Sequence, residues 1–123
     1  MPSVEQMTQT VHRYLELVSS GTADEIADLY ADDATVEDPV GGEVHIGRSA
    51  IRGFYGNVEN VKAKSELVTL RMAGHEAAFH FRLELDFGDS GMRIEPIDVM
   101  VFDSEGKIAS MKAYWSQSDA TPI

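Results

Sequence analysis

There is no cysteine in the chain, which excludes disulfide staples, thiolate nucleophiles and thiolate metal sites together. Long apolar runs are missing too, since no stretch reaches the roughly 18 residues that a membrane-spanning helix needs. The opening residues Met1-Pro2-Ser3-Val4-Glu5-Gln6 carry no basic patch ahead of an apolar segment. They do not read as a signal peptide, and the expected location is cytoplasmic. Positive charge is scarce, with 10 Lys and Arg against 21 Asp and Glu and a formal charge of −11. Such a surface repels phosphate backbones and anionic lipid headgroups, so neither nucleic acid nor membrane is expected as a partner. Metal-ligand patterns are absent as well. His12, His45, His75 and His80 are scattered, no H-x-H or H-E-x-x-H occurs, and Asp32-Asp33 reads as a solvated turn without a third ligand nearby. No catalytic metal is expected.

What is present reads as one domain over residues 1–123, long enough for one core and too short for two. Ser3-Val4-Glu5-Gln6 has the spacing of a capping box, and Val4, Met7, Val11, Tyr14, Leu15 and Val18 recur at helical spacing until Gly21. Thr22-Ala23-Asp24-Glu25 repeats the box and opens a short helix with Ile26, Leu29 and Tyr30 on one side. After a loop at Ala31-Asp32-Asp33, the alternation Ala34, Val36, Asp38 predicts a strand that Pro39 ends, followed by a loose Gly41-Gly42 turn. Ile51, Phe54, Tyr55 and Val58 mark a third helix. The second half predicts four strands in consecutive hairpins, over 67–72, 77–87, 92–102 and 107–116. Helices followed by a run of strands imply an α+β fold, three helices packed on a curved, mainly antiparallel sheet. A sheet wrapped around helices leaves a concavity, for which Phe54, Phe81, Met100, Met111 and Trp115 are candidate walls, although any one of them could equally be plain core.

Three titratable groups fall on apolar faces: Tyr14 on the first helix, Asp38 at the end of its strand, and Asp98 within Ile97-Asp98-Val99-Met100-Val101-Phe102. A lone carboxyl carried into a core must find a donor or keep its proton. Asp98 alone could be satisfied by backbone donors, as Tyr30 and Tyr55 could be ordinary core phenols. Together the three suit proton transfer at carbon. A carboxylate removes a proton beside a carbonyl only if the developing enolate is stabilised, and a phenol and a neutral carboxylic acid are two donors able to do it. Asp38, beside Pro39 and a glycine loop, suits the ionised base; Asp98 suits the neutral acid. Returning the proton to another carbon makes the net reaction an isomerisation, which needs no cofactor.

The string Tyr30-Ala31-Asp32-Asp33-Ala34-Thr35-Val36-Glu37-Asp38-Pro39-Val40-Gly41 closely resembles the corresponding segment of bacterial Δ5-3-ketosteroid isomerases. Arg13-Tyr14, Ile51-Arg52-Gly53-Phe54-Tyr55, Pro96-Ile97-Asp98-Val99-Met100 and Ala113-Tyr114-Trp115-Ser116 resemble further motifs of that family in the same order. The resemblance implies a cone-shaped domain of the nuclear-transport-factor-2-like class, usually a homodimer, that moves a 3-ketosteroid double bond from Δ5 to Δ4. Asp38 would shuttle the proton, Tyr14 and Asp98 would donate to the dienolate oxygen, and Tyr30 and Tyr55 would extend the network behind Tyr14. Ketosteroid isomerase is itself the standing example of a carboxylic acid kept neutral at pH 7, so that assignment follows the family and is not independent. Gly42-Glu43-Val44-His45-Ile46 and Val101 depart from the family pattern and bear on which steroid substituents fit. Polyketide cyclases and epoxide hydrolases of the same fold, or a non-catalytic sterol-binding module, are the alternatives.

Overall fold

The first helix, α1 (Val4–Ser20), begins where its capping box says it should: Gln6 N–H donates to Ser3 Oγ at 3.1 Å and Ser3 N–H donates to Gln6 Oε1 at 2.8 Å. It ends at Gly21, whose N–H donates to Leu17 O at 2.7 Å. A Cβ at Gly21 would stand 2.6 Å from Leu17 Cδ2, so only glycine lets the chain leave the helix so closely. Met7, Val11, Tyr14, Leu15 and Leu17 form its buried stripe, while Val4 is exposed and takes no part in it. The computed structural model describes residues 2–123; Met1, the first residue of the signal-peptide reading, lies outside them.

A second capping box, Thr22 with Glu25, opens α2 (Ala23–Ala27). There follow β1 (Tyr30–Glu37), β2 (Val44–Ile46), α3 (Arg48–Gly56), β3 (Lys62–Ala73), β4 (Glu76–Asp86), β5 (Gly91–Ile94), β6 (Ile97–Phe102), β7 (Ile108–Tyr114), a 3₁₀ turn (Gln117–Asp119) and β8 (Ala120–Pro122). The sheet runs β2-β1-β7-β6-β4-β5-β8, with β3 also paired to β4. Its pairings are antiparallel except for β1 with β7, which are parallel. The fold is therefore α+β, a few helices on a mixed and mainly antiparallel sheet, as expected. Along β4 and β6 the burial alternates, placing Ala77, Phe79, Phe81, Asp98, Met100 and Phe102 in the core under the helices. Each large apolar side chain fully buried there contributes roughly 1.5–3 kcal/mol.

Several expectations need correction. Tyr30 does not continue α2 but is the first residue of β1, and Ala31-Asp32-Asp33 lie within that strand, not in a loop. The pairing of β1 with β7 is irregular between Tyr30 and Thr35, which leaves both acids on an exposed stretch. Val58 lies beyond α3, and Phe87 lies beyond β4 with half its surface exposed. The strand expected over 92–102 is two strands, because Pro96 has no N–H for the ladder. At that point β4 exchanges its partner β5 for β6, while Pro96 O accepts from Phe81 N–H and Glu95 N–H donates to Asp119 O. The short strands β2 and β8 have no counterpart in the sequence reading.

Candidate active site

Asp98 stands in the middle of the sheet. Its cross-strand neighbours are Phe79 on β4 and Ala113 on β7, so a ring lies on one side of the carboxyl and a single methyl on the other. The residue is 1% exposed, and among the described residues its fully buried Oδ1 has no hydrogen-bond partner. An ionised group in that position would forfeit its hydration with nothing in return. Burial first, and the charge of Asp38 second, push its carboxyl well above the usual carboxylate range. The protonated form is the one favoured there, and it is a donor.

Tyr14 reaches the same region from α1 and is 3% exposed. Its ring meets Phe79 edge-on, with centroids 6.4 Å apart, so Tyr14 and Asp98 both adjoin that phenyl. The Tyr14 hydroxyl lies 3.0 Å from that of Tyr55 on α3, which lies 2.7 Å from that of Tyr30 at the start of β1. The order that leaves a proton to spare is Tyr30 donating to Tyr55 and Tyr55 donating to Tyr14, so that Tyr14 keeps its own O–H for a further acceptor. Burial, then the charges of Asp98, Tyr30 and Asp38, hold the Tyr14 phenol well above its ordinary range against the opposing hydrogen bond from Tyr55. It therefore remains a neutral donor at neutral pH.

Asp38 follows β1 directly and is partly exposed. Two contacts from the far end of the chain fix it. Trp115 Nε1–H donates to Asp38 Oδ1 at 2.7 Å, and Val40 N–H donates to Ala113 O at 2.9 Å, tying the loop to β7. The Asp38 carboxyl is raised above its ordinary value by burial, which outweighs the Trp115 hydrogen bond and the charge of His45 that lower it. Its surroundings thus separate it from Asp98, one carboxyl hydrogen-bonded as a carboxylate would be and the other stripped of partners.

The structure joins Tyr14, Tyr55 and Tyr30 in one hydrogen-bonded chain, and Asp38 and Asp98 both act electrostatically on Tyr14 and Tyr30. Of the expected walls, Phe54 and Trp115 are partly exposed and flank the site. Phe81, Met100 and Met111 are core, with Met100 opposite Met111 across β6 and β7 and both 0% exposed, so the methionines shape the wall from behind. A separate open cleft of about 690 Å³, lined by groups including Lys62, Lys64, Glu84, Asp86 and Ile123, shares no residue with this constellation. Among the described residues no three His, Asp or Glu side chains converge on a metal position, and no helix is long and apolar enough to cross a membrane. The resemblance puts an aromatic near Asp38 at Trp115, but the indole hydrogen bond itself, between residues 77 apart, is a contact that no local sequence pattern announces.

Residues 11–111 match the family model of the SnoaL-like domain. The steroid Delta-isomerase of Nocardioides simplex is 46% identical over 114 residues, covering 93% of each chain. The chain belongs to the ketosteroid isomerase family. Within the wider SnoaL-like group, epoxide hydrolase LasB of Streptomyces lasalocidi is 24% identical over 98% of this chain, which spans about half (51%) of LasB. The epoxide hydrolase/cyclase-like enzyme SalBIII, which acts in pyran ring formation in the polyether salinomycin, superposes with a TM-score of 0.91 over all of both chains at 28% identity. RV0760c of Mycobacterium tuberculosis has the same fold, with a TM-score of 0.89 over all of both chains at 17% identity. The polar constellation thus belongs to an isomerase-like member of a fold whose other members carry different names and chemistries.

Proposed function

We propose that this ketosteroid isomerase homologue converts 3-oxo-Δ5-steroids into 3-oxo-Δ4-steroids by moving one proton within the substrate. The observation that carries the reading is the Asp98 carboxyl, buried among apolar neighbours, whose Oδ1 has no hydrogen-bond partner among the described residues. A donor left without an acceptor in the folded protein is matched by a substrate oxygen that gains negative charge during reaction. In the proposed cycle Asp38 takes a proton from C4, and the electron pair passes into the C3 carbonyl to give a dienolate conjugated with the C5–C6 double bond. The Tyr14 hydroxyl and the protonated Asp98 carboxyl donate to its oxygen. The proton held on Asp38 is then delivered to C6, the double bonds shift into conjugation, and Asp38 is again a carboxylate. Each atom is conserved, and no cofactor or water enters. Trp115 orients the base, and Tyr30 and Tyr55 hold the phenol that faces the substrate. We place the enzyme in the cytoplasm as a homodimer that binds a 3-ketosteroid, on the resemblance and the sequence grounds given above.

The test is enone absorbance on mixing purified protein with 5-androstene-3,17-dione, beside Asp38→Asn. The parent should form the enone rapidly and the variant about 10² to 10⁴ times more slowly, the usual contribution of a positioned base, while still binding a phenolic steroid. Equal turnover by both would refute the assignment of the base. A second reading takes support from the full-length likeness to SalBIII and from two carboxyls in electrostatic reach of each other. In an epoxide hydrolase they would act as acid and base on an epoxide, and water consumption without enone formation would select that reading. Steroid binding without turnover of either substrate would select a binding module.

A further inference from the structure

His45 lies on the short strand β2, paired directly with Val36 of β1. Asp38 follows β1 directly, two residues after Val36, so the cross-strand partner of Val36 stands beside the end of β1 that carries Asp38. The imidazole is further fixed by Phe54 of α3, with ring centroids 4.7 Å apart and a 36° tilt. His45 is half-buried there, whereas its strand neighbours Val44 and Ile46 are exposed. Other charges on the packed elements are engaged elsewhere. Glu37 of β1 alternates to the other side and accepts from Gly41 N–H, Arg48 of α3 donates to Tyr30 O and pairs with Asp32, and Arg52 of α3 pairs with Asp24. Glu43, next in the loop, is exposed. Asp38 is the charge on which His45 acts, and it acts to favour the carboxylate.

We infer that His45, held against Phe54 beside the base, is a positioning residue whose imidazolium keeps Asp38 ionised in the acid part of the working range. The inference rests on Asp38 being the base, but its test does not depend on turnover. A buried carboxyl beside apolar rings drifts toward its neutral form, and a neutral Asp38 cannot accept the C4 proton. One cation beside the end of β1 opposes that drift without contacting the steroid.

The experiment titrates the Asp38 carboxyl by carbon NMR in the free protein and records the pH profile of kcat/KM, for the parent, His45→Gln, His45→Phe and His45→Arg. Both neutral variants should move the Asp38 midpoint and the acid limb upward by about half to one pH unit. That is roughly a three- to tenfold loss of kcat/KM on the acid side, with convergence at high pH. His45→Arg should hold both at or below the parent's position. His45→Phe keeps a ring on Phe54, so a shift in His45→Gln alone would assign the effect to stacking and overturn the inference. An unchanged midpoint in both neutral variants, or no recovery in His45→Arg, would overturn it equally. If the NMR midpoint shifts as expected in a protein that forms no enone, His45 is upheld as the group that tunes Asp38 and the isomerase reading fails separately.

Discussion

Replacing Asp98 by leucine should make the protein more stable and less active, and the gain in stability should grow with pH. Leucine has the branching of aspartate, so it fits between Phe79 and Ala113 with little rearrangement. It removes a buried oxygen that has no partner, a defect worth about 1–3 kcal/mol, against which the larger methyl groups set a smaller packing strain. The pH dependence follows from where the proton sits. The folded-state Asp98 is raised well above its ordinary value by burial and by Asp38, so above about pH 4 the unfolded chain has released a proton that the folded chain still holds. Stability contributed by that proton is complete below the unfolded value. It falls by about 1.4 kcal/mol per pH unit as pH rises, until the folded-state midpoint is passed. Asp98→Leu escapes this loss. Urea unfolding followed by Trp115 fluorescence at several pH values should show the variant gaining on the parent across that window and then holding a constant lead. Enone formation should meanwhile drop about 10²- to 10³-fold, the usual cost of one oxyanion donor. Stability curves that run parallel at every pH would mean that Asp98 titrates alike in both states, and the account of it as a neutral donor would be refuted.

Tyr14→Phe should lower kcat about 10²- to 10³-fold with KM little changed, because the lost donor matters most when charge develops on the substrate oxygen; a KM effect alone would speak against its role. Trp115→Phe keeps the wall but deletes the N–H that reaches Asp38. The Asp38 carboxyl should rise further, and the acid limb of kcat/KM should move to higher pH by about one unit. An unmoved limb would show that the indole merely packs.

Much of this was legible in the sequence because the polar trio interrupts apolar periodicity, and an interruption survives errors in element type. Tyr30 was expected at the end of α2 and is instead the start of β1, yet it points inward either way and joins Tyr55. Asp98 was legible because both neighbours on each side are apolar, a pattern that fixes its side in any strand. The break at Pro96 was missed because strand propensity on both sides concealed one absent N–H, and the exposed acids Asp32 and Asp33 imitate a turn. What no local pattern holds is pairing at long range. Nothing local in Val44-His45-Ile46 announces a strand that pairs with β1, and Trp115 was set near Asp38 by the resemblance alone, with no local sign of the hydrogen bond between them.

The parallel contact between β1 and β7 bears on when the site comes into being. The three phenols belong to α1, α3 and the first residue of β1, so the hydrogen bonds between them join residues comparatively close in sequence. Asp38, by contrast, is held by Ala113 and Trp115, and closing that long loop is the costlier step. The proposed proton acceptor is therefore fixed only when β7 docks beside β1. Refolding monitored at once by backbone signal and by enone formation should find activity returning only with the docking of the final long strand.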